Sequence, residues 1–282
     1  MKIIKEISEM HEYTAKLKKR GHSTGFVPTM GALHEGHLSL VDRASAENNK
    51  IIVSIFVNPT QFGPGEDFDK YPRPLKKDLK MLKETRKVDC VFTPDRDMMY
   101  PPGAASYVTL ENEMANVLCG ASRPGHFKGV TTVVAELLNI VKPDRLYLGQ
   151  KDAQQALILS KMIKDLHYNT EAVICPIVRE KDGLALSSRN AYLTPEQRDT
   201  APILYKSLQM AESMVELGER SAETIKKEIR RKIKESGVEI DYVEIAGTED
   251  LAPAEIIAGN VLIAAAIFVG KTRLIDNTII KI

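Results

Sequence analysis

Two histidines three residues apart, His34 and His37, stand in Met30-Gly31-Ala32-Leu33-His34-Glu35-Gly36-His37-Leu38, and Phe26-Val27-Pro28-Thr29 runs into it. On a helix that spacing puts both rings on one face, roughly 4.5 Å apart along the axis. A short β-rich run meets turn-formers and then places Leu38, Val41 and Ala44 at helix spacing, so the stretch reads as strand, loop and helix. At a helix start, free backbone N–H groups and the positive end of the dipole favour an anion. Gly31 and Gly36 let a bulky ligand approach the backbone closely. Zinc fits this pair less well, because His-Glu-Gly-His is one residue short of zinc-peptidase spacing and no third ligand lies nearby. Phosphate binding is the chemistry indicated, and no protein metal site is expected.

Three further polar stretches stand at the ends of expected strands. Asn58-Pro59-Thr60-Gln61-Phe62-Gly63 carries amides that could hold hydroxyl or carboxylate oxygens, although Asn58 also suits a plain turn start. In Gly149-Gln150-Lys151-Asp152 the lysine can reach a phosphate, while Asp152 reads more simply as a helix cap. Leu186-Ser187-Ser188-Arg189-Asn190 gathers two hydroxyls and a guanidinium, a set suited to charge growing on a departing pyrophosphate, or else a serine turn with a solvated arginine. Val269-Gly270-Lys271-Thr272 resembles the tail of a P-loop, but Ala265 occupies the place of the first glycine, so that reading is rejected.

The elements that must carry these residues alternate. Strands are expected at 24–28, 51–57, 88–93, 145–148 and 172–178, with helices to about 48 and over 76–85, 130–141 and 153–166. Ile51-Ile52-Val53-Ser54-Ile55-Phe56-Val57 is nearly continuous and β-branched, as in a parallel strand covered on both faces. This order predicts a Rossmann-like, doubly wound parallel α/β sheet with ligands beyond the carboxyl ends of its strands. Residues 94–128 read as a long irregular and functional segment. After about residue 176 two amphipathic helices, 195–217 and 221–236, and strands at 238–246 and 261–269 suggest a smaller α+β unit. The expected division is therefore 1–176 and 177–282, with residues 183–188 at a cleft between them.

Composition narrows the function classes. The 282 residues carry 39 basic and 38 acidic side chains, a net charge of +1, which gives no electrostatic reason to expect nucleic acid or an anionic membrane. Cys90, Cys119 and Cys175 form no pair motif, and the charged start Met1-Lys2-Ile3-Ile4-Lys5-Glu6 is unlike a signal peptide. A cytoplasmic protein is the expectation.

Taken together and in order, these loops resemble the pantothenate synthetase (pantoate–β-alanine ligase) family of the nucleotidyltransferase superfamily. The resemblance rests on Pro28 to His37, Phe56 to Phe62, Asp69-Lys70-Tyr71-Pro72-Arg73, Arg123-Pro124-Gly125-His126-Phe127-Lys128-Gly129-Val130, Gly149 to Gln155 and Ser187 to Asn190. It implies an ATP-dependent ligation through pantoyl adenylate, with Mg²⁺ accompanying ATP and a homodimeric assembly. By position it implies ATP contacts at Met30, Gly31, Ala32, Leu33, His34, Glu35, Gly36, His37, Gly149, Gln150, Lys151, Asp152, Val178, Leu186, Ser187, Ser188 and Arg189. It further implies pantoate contacts at Gln61 and Gln155, with Gln61 also near β-alanine. The catalytic set it implies is His37, His34, Lys151, Ser187, Ser188 and Arg189, with His37 as proton donor in the usual view of the family and charge stabilisation as the physical alternative. Gln150 and Leu186 stand where some members carry Glu and Met. Another adenylyl transferase and a catalytically silent binding protein are the rival readings; the paired glutamines argue against the first and the intact polar loops against the second.

Overall fold

The protein is described by a computed structural model covering residues 1–66 and 68–282. In chain order the first part runs β1 (Lys2–Ile4), α1 (Ile7–Lys19), β2 (Thr24–Thr29), α2 (Glu35–Glu47), β3 (Lys50–Ile55), α3 (Leu75–Thr85) and β4 (Cys90–Phe92). It continues through α4 (Arg96–Met99), α5 (Cys119–Ser122), α6 (His126–Val141), β5 (Arg145–Gly149), α7 (Ala153–Asp165) and β6 (Glu171–Cys175). All six strands are parallel, in the order β1-β4-β3-β2-β5-β6. From β2 the chain first moves outward to β3 and β4, then crosses back to β5 and β6. The reversal opens a crevice beyond the carboxyl ends of β2 and β5, where such sheets take their ligands.

Side-chain alternation along the strands divides the core into two layers. Phe26, Ile52, Phe92 and Leu146 pack against α1, α6 and α7, whereas Val27, Val53, Val91 and Tyr147 pack against α2 and α3. With both faces covered, the strand interiors are largely apolar, as in the continuous run at 51–53, and the few polar side chains they carry are buried, Thr29 donating its hydroxyl to the Ser54 carbonyl at 2.8 Å.

The remaining chain forms α8 (Pro195–Thr200), α9 (Ile203–Glu216), α10 (Ala222–Lys234), β7 (Glu239–Gly247), β8 (Asn260–Val269) and β9 (Thr272–Lys281). The three strands make an antiparallel sheet in sequential order, and Ile225, Ile229 and Ile233 of α10 join Leu204, Leu208 and Ala211 of α9 in covering it.

Several elements differ from their sequence-based expectation. The helix expected over 195–217 is two helices, because Pro202 has no N–H to continue the ladder. β9 was not anticipated; Gly270 and Lys271 form the tight connection that pairs Val269 with Thr272, which accounts for the rejected P-loop. β6 stops at Cys175, ahead of Pro176, rather than running to 178. The segment 94–128 contains two short α-helices and a single 3-10 turn at Glu113–Ala115, and α6 begins at His126 rather than Val130. Among the described residues no helix is long and apolar enough to cross a membrane.

Candidate active site

A cavity of about 260 Å³ lies over the crevice. Its walls bring together Met30, His34, Gly36 and His37 after β2, Asn58 and Gln61 after β3, and Gly149, Lys151, Asp152 and Gln155 after β5. Val178, Leu186, Ser187, Ser188 and Arg189 close it from the segment leading to the second sheet. Residues separated by up to 161 positions, from Pro28 to Arg189, thus share one space.

Five residues assigned by resemblance to the nucleotide do not line this cavity: Gly31, Ala32, Leu33, Glu35 and Gln150. Gly31 to Leu33 are turned toward the protein. The Asp78 carboxylate of α3, itself buried, accepts the backbone N–H of Ala32 and of Leu33, each at 2.9 Å, and the Leu33 side chain joins the core. Ala32 sits in the left-handed region (φ 51°), a conformation that costs an alanine on the order of 1 kcal/mol and that the two bonds to Asp78 maintain. Glu35 is the exposed first residue of α2, and the Gln150 amide reaches away to Asn277 at 3.3 Å.

The histidines are not two residues of one helix face as expected. His34 is extended and caps α2, accepting the Gly36 N–H on Nδ1 at 3.1 Å. His37 folds back so that its own Nδ1 accepts the His34 N–H at 3.3 Å, a capping box built from two imidazoles with ring centres 4.1 Å apart. A Cβ at Gly36 would lie 2.9 Å from the His34 ring, so the close approach of that ring to the backbone favours glycine. Because each Nδ1 is an acceptor, each neutral ring carries its hydrogen on Nε2. Burial, reinforced by Lys151, lowers the pKa of His34; burial, reinforced by His34, takes His37 down to about 3. At neutral pH both rings are uncharged hydrogen-bond donors.

Lys151 is positioned from the second sheet. The buried Asn277 of β9 donates its amide to the carbonyls of Gln150 and Lys151 at 2.9 and 3.1 Å, fixing the turn that presents the lysine. Asp152 precedes α7 but makes no side-chain capping bond, contrary to expectation; its carboxylate lies 3.6 Å from the Lys151 ammonium. Desolvation within the cleft pushes the half-exposed Asp152 carboxyl upward, yet Lys151 and Arg189 outweigh it and hold the pKa below the ordinary value. Ser187 makes the serine turn, its Oγ accepting the Arg189 N–H at 3.2 Å.

At the other end, Asn58 does start a turn, Oδ1 accepting the N–H and hydroxyl of Thr60 and the hydroxyl of Tyr100. Its Nδ2 donates to Gln61 Oε1 at 3.1 Å. The Gln61 carbonyl oxygen is thereby engaged, and its Nε2 meets the Met30 sulfur at 3.0 Å, a weak acceptor. These bonds use one of the two Nε2 hydrogens, and Gln61 is on the cavity wall. Of the adjacent glutamines in α7, Gln155 lines the cavity, while Gln154 is buried and bonded to Met114, Val117 and Cys119. Asp78 and Asn277 escaped the sequence reading. Asp78 sits in a lysine-rich helical stretch and Asn277 in the unanticipated β9, and neither carries a local signal of its role.

A doubly wound sheet with histidine, lysine, serine and arginine donors at its strand ends and two glutamines on the same cavity wall is the architecture of a nucleotide-using enzyme. The chain belongs to the pantoate–β-alanine ligase family, whose model matches residues 2–279. It is 54% identical over 281 residues to the pantothenate synthetase of Thermotoga petrophila, covering 99% of this chain and all of that one. It is 52% identical over 283 residues to that of Carboxydothermus hydrogenoformans, with both chains fully covered. Among solved structures, pantothenate synthetase from Thermus thermophilus superposes with a TM-score of 0.92 at 42% identity, covering 99% of each chain. A pantoate–β-alanine ligase from Francisella tularensis, described as complexed with β,γ-ATP and β-alanine, gives a TM-score of 0.82 at 38% identity over 99% and 97% of the two chains. The protein is accordingly an enzyme that joins pantoate to β-alanine at the expense of ATP.

Proposed function

We propose that both half-reactions occur in the 260 Å³ cavity, with charge handled at one end and orientation at the other. The pantoate carboxylate attacks the α-phosphorus of ATP, pyrophosphate leaves with the bonding pair, and pantoyl adenylate forms. The β-alanine amine, as the free base, then attacks the acyl carbon, AMP leaves with the bonding pair, the nitrogen gives up a proton to the AMP phosphate or to water, and pantothenate results. His34 and His37 donate Nε2–H to phosphate oxygens, and Lys151, Ser187, Ser188 and Arg189 stabilise the charge that grows on pyrophosphate. Gln61 and Gln155 align the pantoate carboxylate and hydroxyls, Gln61 lies beside the incoming amine, and Asp152 and Val178 border the nucleoside. The observation that carries this reading is the backbone N–H that each paired histidine accepts on Nδ1: neutral rings so engaged carry hydrogen on Nε2 and present N–H groups, not protons to transfer. In this reading His37 stabilises charge and is not an acid.

Magnesium enters with ATP, as part of the substrate. Asp152 is the one carboxylate among the described residues of the cavity wall and is already paired with Lys151, so phosphate oxygens and water are the ligands that suit the ion. The unit 177–282 closes over 1–176 through Asn277 and the segment 186–189. The enzyme acts in the cytoplasm as a homodimer, in keeping with three buried free thiols and the family resemblance. The test is pantoate-dependent exchange of labelled pyrophosphate into ATP without β-alanine. Exchange supports the adenylate step; ATP-binding protein without exchange refutes it. Sedimentation of the purified protein tests the dimer.

A further inference from the structure

The segment Arg123-Pro124-Gly125-His126-Phe127-Lys128-Gly129 is given no role in the chemistry above, yet it packs against Gln61, and its Arg123 and His126 also border the cavity. We propose that Arg123 and His126 are positioning residues that lock Gln61 so that only its N–H edge is offered to pantoate; this deepens the reading of Gln61 as a pantoate contact and rests on it.

His126 is the first residue of α6 and is buried, its Nδ1 2.8 Å from the main-chain oxygen of Gln61. A carbonyl only accepts, so Nδ1 carries the hydrogen. Nε2 lies 3.0 Å from Arg123 Nη1, and a guanidinium only donates, so Nε2 must offer a lone pair. Both neighbours therefore dictate the same neutral tautomer. Burial, reinforced by the Arg123 charge, agrees with it by lowering the His126 pKa to about 4. Arg123 is itself clamped by Glu66 through two bonds of 2.7 Å, from Nε and Nη2. The remaining face is set by Gly129, where a Cβ would lie 2.3 Å from the Thr60 oxygen and 2.6 Å from the Gln61 nitrogen. The Gly129 carbonyl also accepts Asn58 Nδ2 at 3.1 Å, the same group that holds Gln61 Oε1. One helical turn thus fixes Gln61 at its backbone and, through Asn58, at its side chain. His126 acts as a fixed donor, with neither ring nitrogen free to move a proton.

The test compares His126→Asn, His126→Gln and His126→Ala. Asparagine places an N–H₂ near the position of Nδ1, whereas glutamine reaches toward that of Nε2. Steady-state constants for pantoate and ATP are measured on the intact enzyme, with thermal melting alongside, and Gln61→Ala and Gln61→Ala/His126→Ala complete a cycle. The expected result is a rise of about tenfold or more in pantoate KM for the Ala and Gln variants, with ATP KM within about twofold, by analogy with losing a buried hydrogen bond that orients a ligand group. His126→Asn is expected to recover to within about threefold, and in the Gln61→Ala background His126→Ala should add less than about twofold. Should His126→Ala not fold, the contrast between Asn and Gln decides alone. Asn failing as badly as Gln, or His126→Ala acting equally with and without Gln61, overturns the positioning role. An unchanged pantoate KM in Gln61→Ala overturns the reading of Gln61 itself, and the positioning role with it.

Discussion

The two ends of the cavity solve opposite problems. At the histidine loop the protein uses up hydrogen-bond acceptors, the Nδ1 atoms of His34 and His37 and the Asp78 carboxylate, on its own backbone, and leaves donors facing inward. At Gln61 nearly every polar group on both sides of the peptide is bonded within the protein, and one amide edge remains. The first arrangement suits a ligand whose negative charge grows during reaction, because preorganised donors in a shielded site need no rearrangement as charge develops. The second suits a ligand that must be held in one orientation before reaction begins. On the proposed roles, charge stabilisation and alignment call for different degrees of internal satisfaction.

The largest expected effect tests the phosphate end. Removing the His37 donor with His37→Ala should reduce pyrophosphate exchange about 10²- to 10³-fold, the scale for losing one transition-state donor, while pantoate KM moves little. His37→Gln, which retains an N–H near the position of Nε2, should recover part of the loss. Equal loss in both variants would mean that the ring must transfer a proton, and the contrast between the two ends would break.

At the alignment end, Gln61→Glu should raise pantoate KM roughly 10- to 100-fold, since a carboxylate would replace the free N–H edge and face a substrate carboxylate. ATP KM should be unaffected; a matching rise for ATP would show that the two ends are not separate. Gly129→Ala forces a Cβ against the Thr60 carbonyl and should cost about 1–3 kcal/mol of stability in urea unfolding, as overpacking does, with pantoate use impaired further than melting alone explains. Unchanged stability would show that α6 yields easily and does not press on the peptide.

Asn277→Ala frees the turn carrying Lys151 and should lower kcat several-fold with pantoate KM unchanged, the scale expected for a supporting amide rather than a contacting one. The smallest effect is on pH dependence. The folded-state pKa values of His37 and His126, about 3 and about 4, lie below the unfolded value near 6.5, so the unfolded chain gains protons first as pH falls. Their contribution is complete above about pH 6.5 and is lost toward pH 4 and 3, by up to about 1.4 kcal/mol per pH unit for each ring. Urea midpoints at pH 7.5 and 5.5 should therefore converge in His126→Asn relative to the parent. Parallel declines would mean that His126 is charged in the folded protein.

Much of this architecture is written locally. The β-branched run at 51–53 and the alternation of strands with amphipathic helices specify a parallel sheet, because only a strand covered on both faces tolerates such continuous apolarity. Stretches at strand ends picked out the histidines, Gln61, Lys151 and the Ser187-Ser188-Arg189 turn by residue type and local spacing, and these residues line one cavity. β9 was hidden because Asp276 and Asn277 interrupt its apolar pattern, and both are buried only through partners elsewhere, Arg179 for the first and the Lys151 turn for the second. Gly31 to Glu35 could not be sorted into cavity-lining and inward-facing residues without Asp78, which lies more than 40 positions away. The tautomers of His34, His37 and His126 likewise depend on which backbone groups and which guanidinium face each nitrogen. By itself, then, the sequence determined the sheet, the loops and the residue types available for chemistry. Only tertiary structure decided which atoms of those residues are already bonded and which remain to meet a substrate, because a hydrogen-bond partner distant in the chain leaves no local trace in the pattern that specifies the fold.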